Sequence, residues 1–178
     1  MANGSEIENR ASRIKLLLMD CDGVLTDARL WLLDGRDEQK CFSARDGLGI
    51  ELLHRAGLRS GIISGRSSAA VERRARELGM GFIRQGSENK IKSFEEVLID
   101  AGVSSNEVAF IGDDLNDVPL MRRSGFAVAV ADAAEETRSC AHYVTRSRGG
   151  YGAVRETIEL ILKAQGLWRG VVRKYEEG

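Results

Sequence analysis

Short apolar runs alternate with amphipathic stretches along this chain, and that alternation restricts its fold more than any other feature. Residues 14–19, 58–63, 81–84, 107–111, 126–130 and 142–145 read as strands. Residues 46–56, 67–78, 90–101 and 153–165 carry helical patterns, and a brief helix holds Pro119, the chain's sole proline. Strands separated by helices of this length predict an α/β fold: a Rossmann-like, mostly parallel sheet with helices on both faces. A chain of 178 residues is most simply one domain with one core. Residues 1–12 lack apolar periodicity and read as a loose leader, 13–165 as the folded domain, and 166–178 as a charged tail bearing Trp168 and Tyr175.

Carboxylates gather where strands end. Asp20-Cys21-Asp22-Gly23-Val24-Leu25-Thr26 follows the first apolar run directly. Residues two apart in an extended segment project the same way, so Asp20 and Asp22 converge while Cys21 turns towards the core as a small apolar filler. Paired carboxylates repel unless a cation or shared proton relieves them. Gly112-Asp113-Asp114-Leu115-Asn116-Asp117 repeats the pattern after the 107–111 run. Two acidic strand ends predict one divalent-metal site at the sheet edge where open α/β folds place their ligands. Either acidic loop alone would be an ordinary turn.

Bulk properties exclude several partners. The 26 Lys and Arg nearly balance 27 Asp and Glu, so no global field favours nucleic acid or an anionic membrane. No apolar run approaches the roughly 20 residues that span a bilayer. Cys21, Cys41 and Cys140 are odd in number and lack zinc-type spacing, which suits reduced thiols and a cytoplasmic location. His54 and His142 also lack ligand spacing and read as packing or surface residues.

Taken in order, Asp20-Cys21-Asp22-Gly23-Val24-Leu25-Thr26, Ser64-Gly65-Arg66, Lys90 and Gly112-Asp113-Asp114 resemble the four motifs of haloacid dehalogenase-like phosphatases. The short hairpin expected around Asp34-Gly35, the stretch Arg45-Asp46-Gly47-Leu48-Gly49-Ile50, and Gly149-Gly150-Tyr151-Gly152-Ala153-Val154-Arg155-Glu156 resemble the capless branch acting on 3-deoxy-D-manno-octulosonate 8-phosphate. That resemblance implies a magnesium-dependent phosphomonoesterase of lipopolysaccharide precursor synthesis and a homotetramer in which neighbours complete each active site. It further implies Asp20 as nucleophile, Asp22 as general acid and base, and Ser64 and Lys90 as phosphoryl-holding groups. Magnesium ligands would be Asp20, the backbone carbonyl of Asp22, Asp113 and Asp114, with Asp117 behind them. Gly65, Arg66 and Arg74 would contact the sugar acid. Arg66 favours the eight-carbon substrate, because the nonulosonate 9-phosphate branch often carries glutamate there.

The chemistry of these residues suits phosphoryl transfer, since a carboxylate nucleophile splits one difficult displacement into two easier ones. Three other readings stay open: a nonulosonate 9-phosphate phosphatase, a phospho-receiver switch, and a non-catalytic scaffold. Asp22 weighs against the switch, because an acid/base two residues from the nucleophile promotes turnover. Ala28 and Tyr151 depart from the family pattern, which commonly has glycine at the first position and often a basic residue at the second.

Overall fold

The computed structural model describes residues 4–32 and 38–177. The strands are β1 (Leu16–Met19), β2 (Arg59–Ile63), β3 (Phe82–Arg84), β4 (Val108–Gly112), β5 (Phe126–Ala129) and β6 (Tyr143–Val144). They form one sheet in the order β3-β2-β1-β4-β5-β6, with each neighbouring pair parallel. This is the expected α/β sheet. Every residue of β1, β4 and β5 is buried, as a parallel sheet covered on both faces requires.

The helices are α1 (Gly4–Ala11), α2 (Ala44–Arg55), α3 (Ala69–Glu77), α4 (Lys90–Ala101), α5 (Val118–Met121), α6 (Glu135–Cys140), α7 (Ala153–Ala164) and α8 (Trp168–Glu176). Local chemistry sets several of their ends. The Ser43 hydroxyl accepts the Asp46 N–H at the start of α2, and Asn89 Oδ1 accepts the Lys92 N–H at the start of α4. Gly102, with φ 61°, stops α4 in the left-handed conformation. The α7 helix buries Val154, Ile158, Ile161 and Leu162 on one face. Each such side chain contributes about 1.5–3 kcal/mol by leaving water.

Two local expectations change, and the tail takes on structure. Gly4–Ala11 is a helix, although its sequence predicts a loose leader; Arg10 Nη1 donates to Gly125 O at 3.1 Å, and Gln165 Nε2 to Ile14 O just beyond the helix. The α3 helix begins at Ala69, two residues inside its 67–78 pattern, and the Ser68 hydroxyl before it makes no capping bond. Residues 168–176 of the tail are helical, with Trp168 under the cations of Arg155 and Lys163, and Tyr175 under Arg55.

Residues 20–43 connect β1 to α2. Their expected hairpin survives as an antiparallel bridge between Trp31 and Gln39, while its Asp34-Gly35 tip lies outside the described residues. No domain-sized insertion separates β1 from α2, and no helix among the described residues is long and apolar enough to cross a membrane.

Candidate active site

The sheet reverses its order of addition between β1 and β4, the position at which open α/β sheets leave a crevice beyond their strand ends. Register brings the two acidic loops together there. Met19 pairs with Ile111, and the Asp20 N–H extends the ladder by donating to Ile111 O at 3.0 Å. Asp20 and Asp113 therefore leave adjacent strands at the same edge. The loops touch so closely that a Cβ on Gly23 would stand 2.0 Å from Asp113 Oδ2.

Asp20, Asp113 and Asp117 each present an oxygen to one locus, with the three atoms within 4.8 Å of one another. Burial and then Asp117 push the Asp20 carboxyl up to about 6, with Lys90 opposing them. Burial followed by Asp117, Asp20 and Asp114 raises Asp113 to about 8. Asp113 Oδ1 is buried without a hydrogen-bond partner. A clustered, under-satisfied set of carboxylate oxygens suits a hard divalent cation, so these residues fit magnesium.

Lys90 begins α4 and sends its buried amine into the cluster, 3.0 Å from Asp20 Oδ1 and 2.8 Å from Asp117 Oδ1. Burial alone would lower its pKa, but Asp117 and Asp20 outweigh burial and raise it. Asp117 also accepts the Asp113 N–H at 3.1 Å through its other oxygen. Asp114 is exposed and accepts the Leu115 N–H, so its carboxylate lies outside the cluster that its sequence position suggested. Asp117, which the sequence placed behind the metal ligands, stands within this group with its two oxygens holding Lys90 and the Asp113 N–H.

Ser64 ends β2 in a buried position. Its backbone is tied to the loop before α4, with Ser64 N–H donating to Arg84 O and Ser87 N–H donating to Ser64 O. The Ser64 and Lys90 motifs are thus held together by main chain. Gly65 is exposed beside them. The Arg74 guanidinium pairs with Glu77 and packs where a Cβ on Gly47 would lie.

Asp22 has a different set of neighbours. Its Oδ1 receives the Lys40 amine and its Oδ2 lies 3.7 Å from Arg66 Nε. Glu38 bridges the two cations, with Oε1 2.9 Å from Lys40 Nζ and Oε2 2.5 Å from Arg66 Nη2. Sequence reasoning missed Glu38 and Lys40. The available signal was their spacing: residues two apart on the hairpin's returning strand face the same way.

Gly149-Gly150-Tyr151-Gly152 packs on the first acidic loop, and a Cβ on Gly149 would stand 1.7 Å from Gly23 O. Buried Asp46 fixes the entry to α7 by accepting the Gly152 and Arg155 N–H groups at 3.1 and 2.8 Å. The two histidines have packing partners: His54 Nε2 contacts Ser60 Oγ, and His142 Nδ1 accepts the Ala127 N–H. Cys21 is fully buried, as expected for an apolar filler.

A parallel sheet with an acidic cluster and a buried lysine at its central strand ends defines the haloacid dehalogenase-like hydrolase class, and that family's model matches residues 79–158. A 3-deoxy-D-manno-octulosonate 8-phosphate phosphatase from Yersinia pestis is 42% identical over 90% of this chain and 86% of its own length. The chain belongs to that phosphatase family. It is also similar to the crystal structure of the Moraxella catarrhalis 3-deoxy-D-manno-octulosonate 8-phosphate phosphatase in complex with magnesium ion, phosphate ion and KDO. The TM-score is 0.94 and the identity 40%, covering 97% of this chain and 99% of that one. A probable phosphatase from Pseudomonas syringae aligns with TM-score 0.95 and 44% identity, covering 98% of this chain and 99% of the other.

Proposed function

We propose that this chain hydrolyses 3-deoxy-D-manno-octulosonate 8-phosphate to 3-deoxy-D-manno-octulosonate and inorganic phosphate, with magnesium as cofactor, in lipopolysaccharide precursor synthesis. The convergence of Asp20, Asp113, Asp117 and Lys90 at the ends of β1 and β4 carries this reading, together with the family membership.

Asp20 is the nucleophile: a carboxylate oxygen attacks phosphorus, the ester oxygen leaves, and an aspartyl-phosphate remains. Asp22 gives the leaving alkoxide its proton, then takes one from the water that releases phosphate, a role worth roughly 10²–10⁴-fold. Ser64 and Lys90 hold phosphoryl oxygens as charge shifts during transfer. Asp20 and Asp113 would supply carboxylate oxygens to magnesium, with the Asp22 backbone carbonyl as a further donor and Asp117, whose oxygens hold Lys90 and the Asp113 N–H, behind them. When bound, magnesium supplies positive charge that offsets the carboxylates and the incoming phosphate. Arg66, half exposed beside Asp22, recognises the substrate carboxylate.

The same proposal covers organisation. Residues 13–165 are the catalytic unit, with helix α1 and the 166–178 tail appended. The protein is cytoplasmic, consistent with its three free cysteines. It assembles as a homotetramer, supported by the exposed apolar strip Leu30, Trp31 and Leu32 on the hairpin.

A phosphate-release panel at fixed magnesium concentration tests the reaction. Octulosonate 8-phosphate should exceed nonulosonate 9-phosphate by at least about tenfold in kcat/KM, a size of discrimination that a charged contact can supply. EDTA should abolish turnover, and Asp20→Asn should remove it. Preference for the nonulosonate ester, or full activity in Asp20→Asn, would overturn the assignment. Light scattering tests the assembly, and a fully active monomer would refute it.

A further inference from the structure

The phosphoryl-transfer scheme leaves two buried charges of the hairpin unused. The Trp31–Gln39 bridge fixes the returning strand beside the first acidic loop. Glu38 and Lys40 flank Gln39 and turn inward together, whereas Gln39 is exposed. The Lys40 side chain is only 1% exposed, less than any other group in its network. Its amine meets Asp22 Oδ1 on one side and Glu38 Oε1 on the other, while Glu38 Oε2 holds Arg66, whose Nε approaches Asp22 Oδ2. Four alternating charges thus close a ring through the hairpin, the first acidic loop and the loop after β2.

We infer that Lys40 is a positioning residue for Asp22, anchored by Glu38, so that the hairpin sets the direction from which Asp22 exchanges its proton. The ring restrains Asp22 through both carboxylate oxygens. Thr26 Oγ1, 3.4 Å from Asp22 Oδ1, is too distant to fix the group alone. Removing Lys40 also leaves half-exposed Arg66 as the one cation of the ring between Asp22 and Glu38, so the two carboxylates repel with half of their compensation gone. An acid displaced by about 1 Å can lose on the order of 10²-fold in rate.

Orientation of a proton donor has a kinetic signature that loss of folding or of metal lacks. A weakly basic leaving group departs without a proton, whereas a strongly basic one needs it. The test measures kcat/KM across carboxylate-free phosphate monoesters, from p-nitrophenyl phosphate through less acidic phenols to a simple alkyl phosphate. The full-length protein with saturating magnesium is compared with its Lys40→Met, Lys40→Gln, Asp22→Asn and Asp22→Asn/Lys40→Met variants.

Lys40→Met should lose roughly 10- to 100-fold on the alkyl ester but less than about threefold on p-nitrophenyl phosphate, the upper figure being the loss set by misplacing the acid. Lys40→Gln, whose amide still donates, should recover part of the loss. In the Asp22→Asn background Lys40→Met should cost little more, because the two substitutions disable one function. Thermal unfolding establishes which variants fold; if Lys40→Met does not, the same leaving-group dependence, smaller in size, is required of Lys40→Gln.

The inference rests on Asp22 as the proton donor. A flat leaving-group series for Asp22→Asn overturns that reading and the inference with it. A steep series for Asp22→Asn beside equal losses on all esters for Lys40→Met, or beside no loss, overturns the role of Lys40 alone. Full additivity in the double variant does the same.

Discussion

Replacing Lys90 with methionine removes the cation from the acidic cluster while keeping most of the side-chain volume. Its amine is buried 2.8 Å from Asp117 Oδ1 and 3.0 Å from Asp20 Oδ1, and Asp113 shares their locus. Taking one partner from a buried ion pair costs about 3–5 kcal/mol, because the opposing charge stays buried and uncompensated. At about 2–4 °C per kcal/mol for a chain of this size, Tm should fall by roughly 6–20 °C in EDTA at pH 8. The deficit should shrink towards pH 5. Asp113, raised to about 8, and Asp20, raised to about 6, then hold protons, and Lys90 faces less negative charge. Saturating magnesium should also narrow the gap, since it binds the folded cluster. Turnover should drop by about 10²–10³-fold even where the variant is folded, the usual loss for a preorganised charge donor. Calorimetric or circular-dichroism melts across this pH range, with phosphate release alongside, read out every part. A Tm loss under about 2 °C at pH 8 in EDTA, or a deficit that grows on acidification, would refute the electrostatic account.

Further expectations rest on the same geometry. Asp20 and Asp113 have folded-state values above the ordinary 3.8, so their contribution to stability is fully present below that value and is lost as pH rises through about 6 and about 8. Melts in EDTA should therefore show this contribution falling from pH 4 to 8.5, and the Tm gain from magnesium should grow over that interval; a gain that shrinks with rising pH would contradict it. Ala28 holds φ 62°, the only positive value outside glycine among the described residues, so Ala28→Gly should stabilise by about 1 kcal/mol in chemical denaturation by relieving left-handed backbone strain. Arg66→Glu should lower kcat/KM for octulosonate 8-phosphate by roughly tenfold to a hundredfold, with a smaller effect on p-nitrophenyl phosphate; equal losses on both would place Arg66 outside substrate selection.

Periodicity and punctuation made much of this protein legible from its residues. The α4 helix spans the residues its pattern marks, because Asn89 caps its start and Gly102 supplies the turn that ends it. The acidic strand ends were readable for a similar reason: an apolar run stops where Asp20 or Gly112-Asp113 begins, and a buried parallel strand has to surface there. Helix α1 was not readable. Ile7 and Ala11 make too sparse an apolar face for a local signal, and Arg10 and Gln165 reach partners distant in the chain.

The sequence by itself determined the α/β order, the identity of the acidic loops and the presence of serine and lysine motifs between them, since each depends on local pattern. Only the tertiary structure decided which carboxylates meet. Asp117 turns inward to Lys90 and the Asp113 N–H while Asp114 turns out to its own loop, a choice set by burial and by a lysine 27 positions away. The partners of Asp22 are also set at long range, because Lys40 and Arg66 reach it only once the hairpin returns beside β1 and β2 pairs with that strand. Local sequence encodes where a strand or helix begins and ends; the energy of a buried charge depends on whatever the fold places within a few ångströms of it.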